Sequence, residues 1–510
     1  MSLTGAFVTD LDDPEHTVSP RRRGGWKRFL QRALLSLGIL GILAFVARWQ
    51  VSRVGQQHLD EMTTELNATD PGWRLDEIEA TRRKAAPPPE KNTANEVLRL
   101  LENFPPEWQE YRGFREWEWG PTTNYQPSFM ELAWLFGGHQ FTEEVRASMR
   151  SHLLKPESLA CSAGHYSVIQ NDNPIMTLLP HLQKARSVLD LLDYDARLSV
   201  MEGKAHRGIG SARAGLVVAR SIGDEPYLIS QLVRIASSRV AVHTAIQVLA
   251  WSEPKEGLVE LQKELRAEAD VPWLQYGLRG ERGGIYKFFE GLKTGKIDYK
   301  DIGVLGVESQ GTAHQVGFRV YKALLPGDQA KSLEILTQYL EASKLPPHEQ
   351  KAALALVQRP PRPPEDFRYI GTNLIIPACE KVAEAGLRCR ADLLTGSVAI
   401  ACERFRQVKG HWPESLNDIL KDILPEIPLD PFNGKPIQYK KFEDGSGVAI
   451  FTIGNDQDAK LKFGSTTDAL DPLVGLGRGW KLWNKELRRQ PHPLPEPDGN
   501  VLPMPPFVNP

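Results

Sequence analysis

Cysteine is scarce in this chain of 510 residues, and what there is carries no metal or redox spacing. Cys161, Cys379, Cys389 and Cys402 contain no C-x-x-C pair and no zinc pattern, which excludes a zinc ribbon or a dithiol motif. The last three fall in one predicted long helix. Two cysteines ten residues apart on it lie about 15 Å apart at 1.5 Å rise per residue, too far to bridge, so free thiols are expected. Net charge is also nearly absent. Sixty-two Lys and Arg against 64 Asp and Glu leave −2, and without a basic face to neutralise phosphates no nucleic-acid partner is expected. The G-x-S-x-G pattern is missing. "HEQKA" at 348–352 has Ala352 where the second histidine of a zinc protease belongs, and reads as a helix start. "GIGSARAG" at 208–215 mimics a dinucleotide loop but lies in a helical run with no strand before it, so close helix packing is its reading.

One long apolar run stands out. Ala33 to Ala47 is free of charge, and Phe29, Leu30, Trp49 and Val51 extend it, so residues 29–51 are long enough for a transmembrane anchor in membrane lipid. Arg21, Arg22, Arg23, Lys27, Arg28 and Arg32 cluster at its start, which by the positive-inside rule predicts a cytoplasmic N-terminus and the bulk of the chain outside. The exit "AFVARW" puts Phe45 where signal-peptide cleavage wants a small residue, so the expectation is an uncleaved, single-pass anchor in a bacterial inner membrane.

Around it the sequence predicts a mainly α protein. Residues 1–28 read as a disordered cytoplasmic tail, and 52–92 as a juxtamembrane segment and linker. In that segment Asp70 could cap a turn, Leu75 and Ile78 begin a short amphipathic helix, and Pro87 to Pro89 favour an extended polyproline form. Residues 93–175 are a tryptophan-rich irregular or helical region. Residues 176–357 read as helical hairpins, an α-solenoid-like body. There Leu228, Leu232, Ile235, Val242, Ile246 and Leu249 form one stripe, and "GDEP" at 223–226 turns one helix into the next. A proline-rich linker, 358–373, precedes a small α+β domain at 374–484, and a disordered proline-rich tail occupies 485–510.

In the α+β domain Leu387, Ala391, Leu394, Val398, Ala401, Phe405 and Val408 alternate four and three apart along one helix that Gly410 ends. "HWPESLNDIL" supplies a short helix, "LPEIPLDPFNG" an extended crossing into an Asn433-Gly434 turn, and the stretches around Tyr439 and Val448 to Ile453 two strands of an antiparallel sheet. That order, with "G-x-W-P-x-S-L", "P-x-D-P-F-N-G-x-P-x-x-Y" and "F-T-I-G-N-D", resembles the C-terminal half of major type II secretion pseudopilins over about residues 390–465. The whole chain also resembles an uncharacterised family of bacterial membrane-anchored proteins through "DPGWRLDEIEATR" (70–82), "SIGDEPYLISQLVRIA" (221–236), "GLRGER" (277–282) and "GWKLWNKELRRQP" (479–491). The pseudopilin likeness implies calcium as a cofactor, held in the loop after the last strand. The matching candidates are Asp456 and Asp458, flanked by Asn455 and Gln457, with Asp468 further on. The chain departs from pseudopilins before its apolar segment, where Trp26-Lys27-Arg28 stands and no acidic residue enters, so a compact terminal domain is expected instead of a fibre subunit.

No catalytic residues are assigned. Cys161 with His165, or His139 with Glu143 and Glu144, are the nearest approach to a nucleophile–base or metal set, and His243 beside the stripe reads as a packing histidine. The expected function is a single-pass, membrane-anchored cell-envelope scaffold or interaction protein with unknown envelope protein partners. The alternatives are an accessory component of a type II secretion-like system, or an envelope hydrolase with an unrecognised site.

Overall fold

The computed structural model describes residues 25–102, 142–155, 164–298, 321–362, 365–376, 378–453 and 478–488. Helix α1 spans Gly25–Thr69 without a break. Its apolar part stands clear of the rest of the protein: Leu35 is 68% and Phe45 69% exposed. Among the described residues α1 is the one helix long and apolar enough to cross a membrane. Beyond Val54 the same helix becomes a core element. Leu59 and Leu66 are buried against Ala330 and Leu333 of α10 (Leu325–Ser343). Gly55 permits this crossing, because a Cβ there would lie 2.7 Å from the backbone nitrogen of Gly327. The expected juxtamembrane segment is therefore a continuation of the apolar helix. Leu59, Met62 and Leu66, three and four apart with no proline among them, keep one face of it buried.

Helices α2 (Leu75–Ala85), α3 (Thr93–Glu102) and α4 (Glu143–Leu153) lead into the body. Leu75 and Ile78 are buried on α2, as their spacing predicts, and Thr142 caps α4 by accepting from the Val145 N–H. The body contains α5 (Pro180–Met201), α6 (Ala205–Ser221), α7 (Leu228–Trp251), α8 (Leu258–Ala269) and α9 (Trp273–Thr294). Left-handed glycines, Gly203 at φ 73° and Gly223 at φ 66°, turn α5 into α6 and α6 into α7. Helix α7 lies in the middle. Ile235, Val242, Ile246 and Leu249 bury its predicted stripe, and Ser230, Ser237 and Ser238 are buried as well, because α5, α6, α9 and the later long helix surround it. The 208–215 stretch lies inside α6, and 348–352 inside α11 (Pro347–Ala355), as expected.

A short α12 (Ile370–Ile375) precedes α13 (Cys379–Lys409), which carries the three free, buried cysteines Cys379, Cys389 and Cys402. Burial pushes the Cys379 thiol up to about 12 and raises the other two well above the ordinary thiol range, which keeps them protonated and inert. Gly410, at φ 79°, ends α13. Leu387 through Phe405 of the stripe are buried, but Val408 is exposed in the last turn before that end. The expected short helix after it is a 3-10 turn, Leu416–Ile419, with the Asp418 carboxylate accepting from the Glu414 and Ser415 N–H groups. Three antiparallel strands follow in the order β1 (Gln438–Lys441), β2 (Gly447–Thr452), β3 (Arg478–Trp483), registered through Tyr439↔Ile450 and Ile450↔Trp480.

Two expectations need correction. The body and the α+β module were expected as separate domains joined at 358–373. Instead one apolar core runs through both: Leu265, Ile246 and Trp273 of the body share it with Leu393, Val398, Ile450 and Trp480. Helix α13 is apolar on more than one side, so α7 and α8 cover one face and the sheet another. The proline-rich tail was expected to begin at 485. Lys485–Leu487 form a 3-10 turn, and the Arg488 side chain is buried, donating to Glu403 Oε2 at 2.7 Å and to the Ser252 carbonyl at 2.5 Å.

Candidate functional site

Three segments far apart in sequence, 70–82, 221–236 and 277–282, meet at one junction between α1, α2, α7 and α9. Thr69 ends α1, and the Asp70 carboxylate that follows does not cap a turn. It accepts a two-pronged pair from Arg279, Nε to Oδ2 at 3.0 Å and Nη2 to Oδ1 at 2.9 Å, and a further bond from the buried Arg282. Burial works to raise the Asp70 carboxyl, and the two guanidiniums outweigh it, holding it below its usual value. Trp73 closes the corner, fully buried with its ring edge against Tyr286 at 4.9 Å. Gly280 is what lets α9 approach the 223–227 turn, since a Cβ there would lie 1.8 Å from the Pro226 carbonyl oxygen. Beside it Glu281 accepts from the Leu228 N–H at 3.0 Å, at the N-terminus of α7. Burial raises the Glu281 carboxyl above its ordinary range.

On the other side of that turn, Arg82 of α2 donates from Nε to Asp224 at 2.9 Å and from Nη1 to Glu79 at 2.9 Å. Glu79 is nevertheless raised, because burial exceeds what its partner restores. Glu225, wholly buried, pairs with His181 Nε2 at 2.8 Å; Tyr166 stacks on His181 at 4.4 Å and bonds Ser221 Oγ at 2.8 Å. His165 lies in an extended stretch whose backbone is held by Asn92: the His165 N–H donates to Asn92 Oδ1 at 2.9 Å, and Asn92 Nδ2 donates to the His165 carbonyl at 2.8 Å. Its imidazole is pushed toward the neutral form, first by burial and then by Arg82. An acid–base pair is thus present in His181–Glu225, but it is 7% and 0% exposed and its polar atoms face each other. It fixes the turn; it does not face a substrate.

A second feature is a cleft of about 600 Å³ where the α9 N-terminus, the loop after α10 and the first half of α13 meet the crossing at 426–431. In that crossing Asp430 holds the Asn433-Gly434 turn, accepting from the Phe432 N–H at 2.9 Å and Asn433 Nδ2 at 3.1 Å, and it ties down the end of β2 through the Ile453 N–H at 2.9 Å.

The sequence-derived calcium residues Asp456, Asp458 and Asp468 lie outside the described residues, as do His139 and Cys161. Among the described residues no three His, Cys, Asp or Glu side chains gather as a metal site. His243 accepts or donates with Gln247 at 3.3 Å and is held neutral by burial, as a packing histidine should be. Sequence reasoning missed the Asp70–Arg279–Arg282 clamp and the His181–Glu225 pair. A charged pair some 40 to 210 residues apart leaves no periodic signal, though the unusual "GLRGER" pairing of glycine with arginine could have marked a close, charged crossing. No family model, curated protein or solved structure matches this chain.

Proposed function

We propose that this is a membrane-anchored scaffold or interaction protein of the bacterial cell envelope, with residues 29–51 in inner-membrane lipid, the N-terminus in the cytoplasm and the body outside. One observation carries this reading. Helix α1 passes from a wholly exposed apolar stretch into a packed core without a turn, so span and body are one piece of secondary structure. Lipid is the solvent that suits the exposed part, and the six basic residues before it set its direction. The packing of α5, α6 and α7 as successive neighbours joined by short turns supports a stack of helical hairpins, solenoid-like, that offers a broad face to envelope proteins.

The test is fractionation of bacteria expressing the full chain, followed by protease treatment of intact cells, spheroplasts and lysates. The protein should stay in the inner-membrane fraction through an alkaline wash, with the body digested in spheroplasts. Release by alkali, or a body protected until lysis, would overturn the reading. In Gly55→Leu the membrane fraction should be unchanged while new protease cuts appear between residues 55 and 75, because the α1–α10 crossing has no room for the side chain.

A second reading, an accessory role in a type II secretion-like system, draws on the helix-then-sheet order and the Asp430-held turn. Helix α13 is covered by α7, α8 and the sheet, so a pseudopilin partner would meet the outer face of β1 and its turn. Co-purification of pseudopilins with the full chain supports that role; recovery of envelope proteins without any pseudopilin counts against it.

A further inference from the structure

The cleft beneath the 426–431 crossing contains an arginine whose charge is not answered. Arg390, half-buried on α13, donates from Nε to the Ala269 carbonyl at 2.6 Å and from Nη2 to the Val271 carbonyl at 3.1 Å, and its guanidinium sits 5.6 Å from the centre of the Trp273 ring. These contacts orient the group, but none is a carboxylate. Among the described residues Arg390 has no ion pair. Asp270, the acidic group that bears on it, pairs at 3.7 Å with Arg266, which also takes Glu426 at 2.8 Å. Arg82, Arg282 and Arg488, the buried arginines already described, each have a carboxylate partner. A cation withdrawn from water without an anion is costly, and burial lowers the Arg390 pKa accordingly.

The walls around Arg390 are of a different kind. Leu345 and Pro346 come from the loop after α10, Pro347 from the start of α11, and Pro428, Leu429 and Pro431 from the crossing. Leu345 and Leu429 are 39% and 53% exposed at the mouth. The volume suits a small ligand. Of the other charged groups in the lining, Arg266 pairs with Asp270 and Glu426, and Asp430 is engaged by the Asn433-Gly434 turn, so Arg390 is the oriented cation among these apolar walls that lacks a carboxylate. These four prolines have no N–H, so a peptide lying along their walls would find few backbone donors for its carbonyls, whereas an acyl chain asks for none.

We propose that this cleft binds an apolar monocarboxylic acid, with the carboxylate on Arg390 and the acyl chain between the Pro346–Pro347 and Pro428–Pro431 walls. A planar carboxylate accepts charge-assisted hydrogen bonds from a guanidinium that the Ala269 and Val271 carbonyls already hold in place.

Calorimetric titration of octanoate into the full chain in phosphatidylcholine nanodiscs, with empty nanodiscs subtracted, tests this. Saturable binding of octanoate is expected, at least about tenfold tighter than octanol, since a hydrogen bond to a charged group is lost in the alcohol. Arg390→Gln should bring octanoate to the level of octanol. Leu429→Trp, whose side chain stands more than half exposed, should weaken both by filling the mouth, and it decides the matter if Arg390→Gln unfolds. Equal affinity for octanoate and octanol, octanoate binding unchanged in Leu429→Trp, or tighter binding of the tripeptide Ala-Leu-Leu than of octanoate would each overturn the proposal.

Discussion

Asp70 and Arg279 stand 209 residues apart in sequence and face each other as carboxylate and guanidinium, joined by two parallel hydrogen bonds of 2.9 and 3.0 Å. With Arg282 behind, 1% exposed, this clamp fastens the end of α1 to α9. Each partner lies where the chain changes direction or packs closely, so the pair fixes an angle between elements as well as a distance.

Asp70→Asn should therefore destabilise the fold. Breaking a buried ion pair costs about 3–5 kcal/mol, and with the Asp70 side chain 26% exposed the loss should be nearer ~2 kcal/mol. Because the folded-state carboxyl is lowered, the contribution is complete at neutral pH and disappears as pH falls through the folded value, below the ordinary Asp range. Denaturant unfolding of both proteins across the acid range should show two curves that converge at low pH; a constant gap would show that the charge is not what matters.

Glu281→Gln should act in the opposite sense. Burial raises the folded-state carboxyl above its unfolded value, so ionising it costs stability, and wild-type stability falls as pH rises from the ordinary Glu range through that raised value. Gln keeps an acceptor for the Leu228 N–H without the charge. The variant should melt at a higher temperature than wild type at pH ~8 and at the same temperature near pH ~4. A variant less stable at the higher pH would mean that the carboxylate's pairing with the α7 N-terminus outweighs its burial.

Arg488 gives a sharp boundary to test. Its guanidinium joins Glu403, which is fully buried, to the Trp483 and Ser252 carbonyls, while Glu403 keeps Arg406 as a second partner. Arg488→Ala should cost about 3 kcal/mol, the low end for a broken buried pair, because Arg406 remains. A chain ended after Leu487 should be less stable than one ended after Arg488 by the amount that Arg488→Ala loses, as read by denaturant unfolding.

How much of this was legible in the sequence differs by element. Helices α7 and α13 follow from local periodicity, because a buried stripe three and four apart is a property of neighbours in the chain. The Asn433-Gly434 turn was legible for a similar reason: only a left-handed residue fits, and Gly434 has φ 69°. Strand β3 was overlooked although Trp480 and Leu482, two apart, are both buried on it, since six residues beside a long unpatterned stretch carry little weight alone. The shared core could not be read from either half. Leu265 and Trp480 come together against Gly396 only once both have folded around α13. The same holds at the junction, where Arg82, Asp224 and Gly280 are individually ordinary surface-type residues and acquire meaning from one another.

The unbroken course of α1 has a mechanical consequence. A flexible tether would let the body roam through a hemisphere above the membrane, but fifteen helical residues between Val54 and Thr69, about 22 Å long, form a stiff mast bolted to α10 along its side. With residues 29–51 in a bilayer, the lean of the span sets the lean of the body. Every face is then presented at one height and one bearing, and a partner would have to arrive from a fixed quarter to meet it.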